Sequence, residues 1–273
     1  MAFPSPGSSD LTDNPTLPLS PIGIAALAFP THRVVADGTL DAFTSIDNCT
    51  PFSIGVQVGS GDASYTFAGN QDLAQYLTVA VKDGVLSISA TGLPSGEAVS
   101  PIAVIVSAPS STSLSSISAS GQGGVSVLPG LATSESMTIS SSGQGSITGL
   151  FDVTEELTIS SSGQGKIDVG GEIGSLAITS SGQGAVDVFG VQGDAKVDMS
   201  GQGNVFISGS SGLSITGSND GMGQLKYDGE EGSCTVPNSF FATNCVKSSG
   251  QSAPEPKLPN PSGTSVYSGS YEC

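Results

Sequence analysis

A chain of 273 residues with 38 glycines, 16 prolines, no tryptophan and 11% charged residues suits short strands and tight turns, and is poorly suited to helix packing. The formal net charge is −17, and the seven basic residues (Arg33, Lys82, Lys166, Lys196, Lys226, Lys247 and Lys257) form no cluster. That balance excludes nucleic-acid binding through the phosphate backbone and disfavours anionic membrane surfaces.

Residues 1–36 are rich in Pro, Ser and small residues without periodicity, and read as a disordered leader. The apolar run at 22–29 is short, follows prolines and lacks a basic flank, so it makes no clear signal peptide. No segment has the ~20 apolar residues of a spanning helix, and no transmembrane segment is expected.

Residues 37–113 read as N-terminal strands of alternating pattern. Ser53-Ile54-Gly55-Val56-Gln57-Val58 and Ser64-Tyr65-Thr66-Phe67 are two of them. Leu77–Val81 and Val85–Ser89 flank Lys82-Asp83-Gly84, whose Asp-Gly pair predicts a hairpin turn. Ile102–Val106 is more continuously apolar. Asn48-Cys49-Thr50 has the form of a glycosylation acceptor at Asn48, a triplet that is also frequent by chance.

Residues 114–232 carry a repeat. Ser-Gly-Gln-Gly begins at Ser120, Ser142, Ser162, Ser181 and Ser200, with starts 22, 20, 19 and 19 residues apart. A degenerate sixth copy is read at Ser218-Asn219-Asp220-Gly221. Alternating apolar pairs precede the copies (Met137/Ile139, Leu157/Ile159, Leu176/Ile178, Ala195/Val197, Leu213/Ile215) and follow them (Val125/Val127, Ile167/Val169, Val186/Val188, Val205/Ile207). Period-two alternation puts each set on one face and sends Thr158, Asp168, Asp187 and Lys196 outward.

A period near 20 residues with short strands and no helix is one coil of a β-solenoid, whose neighbours complete its core. The predicted fold is all-β, a parallel β-helix of about 20 residues per coil. The first glycine of each motif (Gly121, Gly143, Gly163, Gly182, Gly201) is expected to turn the corner at positive φ, and the second to permit close stacking. Gln122, Gln144, Gln164, Gln183 and Gln202 then align. An amide ladder between them would make Gln164→Ala cost about 1 kcal/mol.

Residues 233–247 hold Cys234 and Cys245 around a loop with Pro237 and Asn238. A disulfide closing it is the natural reading and implies an oxidising compartment. Zinc ligation and free thiols are the alternatives, and the pairing of Cys49 and Cys273 is open. Residues 248–273, with Pro254, Pro256, Pro259 and Pro261, read as a flexible tail.

The layout resembles the putative auto-transporter adhesin, head GIN domain family over roughly residues 40–230. Phe43-Thr44-Ser45-Ile46 is similar to the family's opening Phe-x-x-Ile. Val79–Ile88 is similar to its strand, Asp-Gly, Leu-x-Ile hairpin, and Ile105-Val106-Ser107-Ala108-Pro109 to its Val/Ile-x-Ala-Pro strand end. Ser118-Ala119-Ser120-Gly121 resembles the first repeat turn. The resemblance implies a right-handed helix with an N-terminal β-strand cap region, an extracellular or cell-surface location, and a non-enzymatic adhesin-like role. It supplies no catalytic residues. This chain departs from the usual Ser-Gly-Ser-Gly turn followed by Asp or Asn: Gln replaces the second Ser, and Gly124, Ser146, Lys166, Ala185 and Asn204 stand at the usually acidic place.

Chemistry is sparse. Arg33 is the single arginine and His32 the single histidine, both in the leader, and no Gly-x-Ser-x-Gly elbow exists, so a nucleophile triad is excluded. No catalytic residue, cofactor or metal site is expected. Asp168 and Asp187 fall at equivalent places on adjacent coils, where they would share a cation or stand as solvated side chains near lysines. An ice-binding face fails because Thr138 and Thr158 give way to Ala177 and Lys196. Two functions remain: an adhesin-like module whose binding surface is the Gln corner with Asp168 and Asp187, its partner a surface glycan or protein, and a polysaccharide-active β-helix enzyme. The sequence does not set the oligomeric state.

Overall fold

The computed structural model describes residues 38–96, 98–229, 231–267 and 269–271. The leader expected at residues 1–36, with His32 and Arg33, lies outside them. The described chain is a β-solenoid of about seven turns.

Two parallel stacks of strands form its main faces. One runs through Ser45–Asn48, Ser113–Ala119, Ala132–Ser141, Val153–Ser161, the second half of Ile167–Ser180, Asp194–Met199, Ser214–Asn219 and Ser233–Cys234. The other runs through Ser53–Gly59, Val125–Val127, Ile147–Leu150, the first half of Ile167–Ser180, Val186–Val191, Val205–Gly209, Leu225–Asp228 and Val246–Lys247. Period-two alternation drives this: alternate residues enter the core and stack on their equivalents one coil away. Ile117, Ile139, Ile159, Ile178 and Val197 make one such column. Ile54, Val125, Ile147, Ile167, Val186, Val205 and Leu225 make another. Every member of both is buried.

The N-terminal strands do more than cap. Ser45–Asn48 and Ser53–Gly59 sit in the two stacks as a first coil, with Thr50-Pro51-Phe52 turning its corner. Antiparallel elements seal the end beyond it. The hairpin of Leu77–Lys82 and Val85–Leu93 turns at Asp83 and Gly84, with φ of 51° and 76°, as its Asp-Gly pair requires. Ser64–Gly69 lies antiparallel to Ile102–Pro109, which continues the second stack.

Two expectations change. The degenerate sixth copy is displaced by two residues: Met199 pairs with Asn219, so the true equivalent of Ser200–Gly203 is Asp220-Gly221-Met222-Gly223. Likewise Ile215 stacks on Ala195 and Gly217 on Val197. The tail, expected to be flexible, is docked where it is described. Ser265–Val266 pairs with Ala98–Val99, and Gly269–Tyr271 with the strand at 85–93. Tyr267 is buried edge-on against Phe52, ring centroids 4.8 Å apart. Leu258 and Pro259 lie over Gly55, where a side chain would displace them. Burial of Pro and aromatic surface offsets the entropy of holding the strap down.

The last coil is closed by the loop between Cys234 and Cys245, which are joined by a disulfide with Cα atoms 5.5 Å apart. This removes the zinc and free-thiol alternatives for that pair. Cys49 is disulfide-bonded as well. The loop buries Val236, Ala242 and Asn244 on the end of the core. Ser239 Oγ donates to Gly221 O at 2.9 Å, taking the place of the amide that a further coil would have supplied.

Candidate functional site

The corner between the two faces is held by main chain. The N–H groups of Gln144, Gln164, Gln183, Gln202 and Met222 donate to Gly121, Gly143, Gly163, Gly182 and Gly201 O, each at 2.9 Å. Both motif glycines are needed for this, for one reason. A Cβ on Gly143 would overlap Gly121 O, and one on Gly145 would overlap Gly123 O; the same holds along both columns. None of these glycines lies in the left-handed region, so the expected positive φ at the first is not the cause. Coils separated by one strand spacing leave no room for a Cβ at these two positions of the turn.

The same arrangement overturns the amide ladder. The five motif glutamines are exposed, and among the described residues no hydrogen bond joins their side chains. Inter-coil pairing at the corner is already met by backbone groups, so the amides gain nothing by leaving water.

What the corner makes is a groove of about 1190 Å³ along the solenoid axis. Its floor is the glycine backbone and its walls are the five motif serines and Gln122, Gln144, Gln164, Gln183 and Gln202. Cys49 and Tyr271 stand at the N-terminal end, and Asp220, Met222 and Phe241 at the other. Asp220 is the one charged residue among the described lining residues. Phe241 is 69% and Met222 50% exposed, an unusual outlay for apolar side chains. Sequence reasoning missed Phe241 and Tyr271 because each comes from a segment assigned to a cap or tail. Met222 was hidden by the two-residue displacement of the sixth copy.

Two asparagines clamp the ends of this corner from inside. Asn48 Nδ2 donates to Phe52 O at 2.9 Å and Gly123 O at 3.1 Å, while its Oδ1 accepts from Thr50 N at 3.1 Å and Thr50 Oγ1 at 2.8 Å. Asn219 Nδ2 donates to Gly223 O and Asn244 Oδ1, and its Oδ1 accepts from Gly221 N, each at 2.8 Å. Asn48 is therefore fully buried with its amide occupied, and the glycosylation acceptor read at 48–50 is inaccessible in the folded chain.

Asp168 and Asp187 are brought into register, as their spacing implied, but away from the groove lining. Lys166 Nζ lies between them, 2.7 Å from Asp168 Oδ2 and 2.6 Å from Asp187 Oδ2. Burial would lower the Lys166 pKa; hydrogen bonds to the two carboxylates outweigh it and hold the ammonium above its ordinary 10.5. The ammonium sits between the two carboxylates, where a shared cation would have to sit. Among the described residues no three His, Cys, Asp or Glu side chains gather to hold a metal.

The model of one family, putative auto-transporter adhesin, head GIN domain, matches residues 42–230. The chain belongs to that family. Its match takes in the first coil at 45–59 and all five intact corner motifs. A structure described as a putative adhesin from Bacteroides fragilis is similar with a TM-score of 0.64 at 21% identity, covering 80% of this chain and 98% of that one. Another putative adhesin, from Parabacteroides merdae, has a TM-score of 0.49 at 14% identity, covering 80% and 96%. The first of these likenesses shows a shared fold. No curated protein matches.

Proposed function

We propose that this head GIN domain is a non-enzymatic, adhesin-like binding module, displayed at a cell surface or secreted, and that its binding surface is the Gln-lined corner groove. The observation that carries this is the row of five glutamines exposed beside a groove of about 1190 Å³, with no structural hydrogen bond to keep them there. Side chains that hold nothing together are free to hold a ligand. The family supports export to a surface, and the disulfide between Cys234 and Cys245 supports an oxidising compartment.

Hydrolysis or lyase chemistry needs paired carboxylates, or a base beside an acid, converging on one bond. The groove offers Asp220 alone among its described residues, at one end, and Asp168 and Asp187 are tied to Lys166 outside it. The test is a screen of the full chain on arrays of surface glycans and extracellular matrix proteins, run beside a turnover assay on soluble polysaccharides. Saturable binding without turnover is expected. Turnover lost in an Asp220→Asn variant would overturn the non-enzymatic reading.

A further inference from the structure

We infer that the groove takes an uncharged polysaccharide chain lying along the solenoid axis, with its end sugar stacked on Phe241. This rests on the groove being the binding surface and adds what it binds.

Charge narrows the ligand first. No described lining residue is cationic, Asp220 is anionic, and the chain carries −17 overall. Sulfated, uronate or nucleic-acid polymers would meet repulsion with no compensating ion pair. Geometry narrows it next. The motif recurs once per coil, about every 4.8 Å, close to the length of one extended pyranose unit. Each recurrence presents a carboxamide that both donates and accepts and a hydroxyl that does the same, matching sugar hydroxyls one ring at a time.

A peptide fits less well. β-Augmentation needs an open strand edge, and a ligand along the axis lies across the strands. The corner N–H groups of Gln144, Gln164, Gln183 and Gln202 are already bonded within the solenoid. The apolar end completes the match. Phe241 is held on the disulfide-closed loop with 69% of its surface in water, its ring edge-on to Phe240 at 5.0 Å. A flat exposed ring at the end of a polar groove is suited to the C–H face of a sugar.

The experiment is calorimetric titration of the full chain with neutral gluco-, xylo- and manno-oligosaccharides of about two to eight units, spanning the roughly five coil spacings of the groove. Uronate oligomers of equal length are the comparison. Expected is binding to a neutral series that tightens with length and levels at about five units, insensitive to salt. Phe241→Ala should weaken it roughly 3- to 10-fold and Phe241→Tyr, which keeps the ring, should leave it unchanged, both with parental melting curves. No affinity for any neutral series, no dependence on length, preference for uronates, or equal loss in the two Phe variants would overturn the inference. If the arrays show only protein ligands, this inference falls while the groove reading stands; if the groove glutamines prove irrelevant to every ligand bound, both fall.

Discussion

Replacing Gly163 by Ala tests whether the motif glycines serve stacking or turn conformation. The added Cβ would overlap Gly143 O and stand 2.7 Å and 2.8 Å from Ser142 C and O, all main-chain atoms of the neighbouring coil. Bringing even the 2.7 Å contact to an ordinary 3.4 Å means parting the coils locally by about 0.7 Å. The bonds Gly163 N to Ser141 O and Gly165 N to Gly143 O are already 3.3 Å, so that movement breaks both. Two hydrogen bonds at about 1 kcal/mol each, with overpacking of about 1–2 kcal/mol, make a loss of roughly 3–4 kcal/mol. For a domain of this size that lowers Tm by roughly 6–15 °C. Gly61→Ala, where nothing lies within 4 Å and φ is not left-handed, is the control and should melt like the parent. Differential scanning calorimetry reads both. A Gly163→Ala melt within about 2 °C of the parent would refute the stacking argument.

Other perturbations report on other parts of the corner. Ser141, Ser161 and Ser180 bury hydroxyls that have no hydrogen-bond partner, in a column where Ala119 occupies the equivalent place, so Ser161→Ala should raise stability by about 1 kcal/mol in urea unfolding. Asn219→Ala removes three 2.8 Å hydrogen bonds that tie the last corner to the cap loop; a loss of about 2–3 kcal/mol and faster proteolysis within 235–244 are expected, and an unchanged melt would deny the clamp. Lys166 has its pKa raised in the folded state, so its contribution is full below pH 10.5 and is lost as pH climbs through the folded value. With its side chain 45% exposed, that contribution is below about 1 kcal/mol. The stability gap between the parent and Lys166→Met should therefore be small at neutral pH and close above pH 10.5; a gap that widens there would contradict the ion triplet.

Periodicity made the solenoid legible from the sequence, because two-residue alternation on a near-20-residue repeat with no helical segment is the pattern of stacked β-coils. The inward columns from Ile117 to Val197 and the outward Asp168 and Lys196 follow from it directly. The sixth corner was not legible in the same way. Ser218-Asn219-Asp220-Gly221 begins with Ser like the motif, but the main-chain pairing obeys the glycine spacing of Gly221 and Gly223, which alone satisfies the stacking contacts. Asn48 illustrates a second limit: a three-residue acceptor pattern says nothing of burial, and this amide closes the first corner. The glutamine column was visible, but its role was not. Aligned amides suggest a ladder until the backbone at the motif turns is seen to bond the coils already.

One four-residue motif divides its labour in the proposed reading: the glycines hold the coils and the glutamines face a ligand. The direct measurement is a binding titration of the triple variant Gln144→Ala/Gln164→Ala/Gln183→Ala against the ligand found for the parent, with its melting curve recorded alongside. A Tm within about 2 °C of the parent together with at least about ten-fold weaker binding is the predicted result. Parental affinity, or a melt lowered by the roughly 3 kcal/mol that three ladder bonds would contribute, would contradict it.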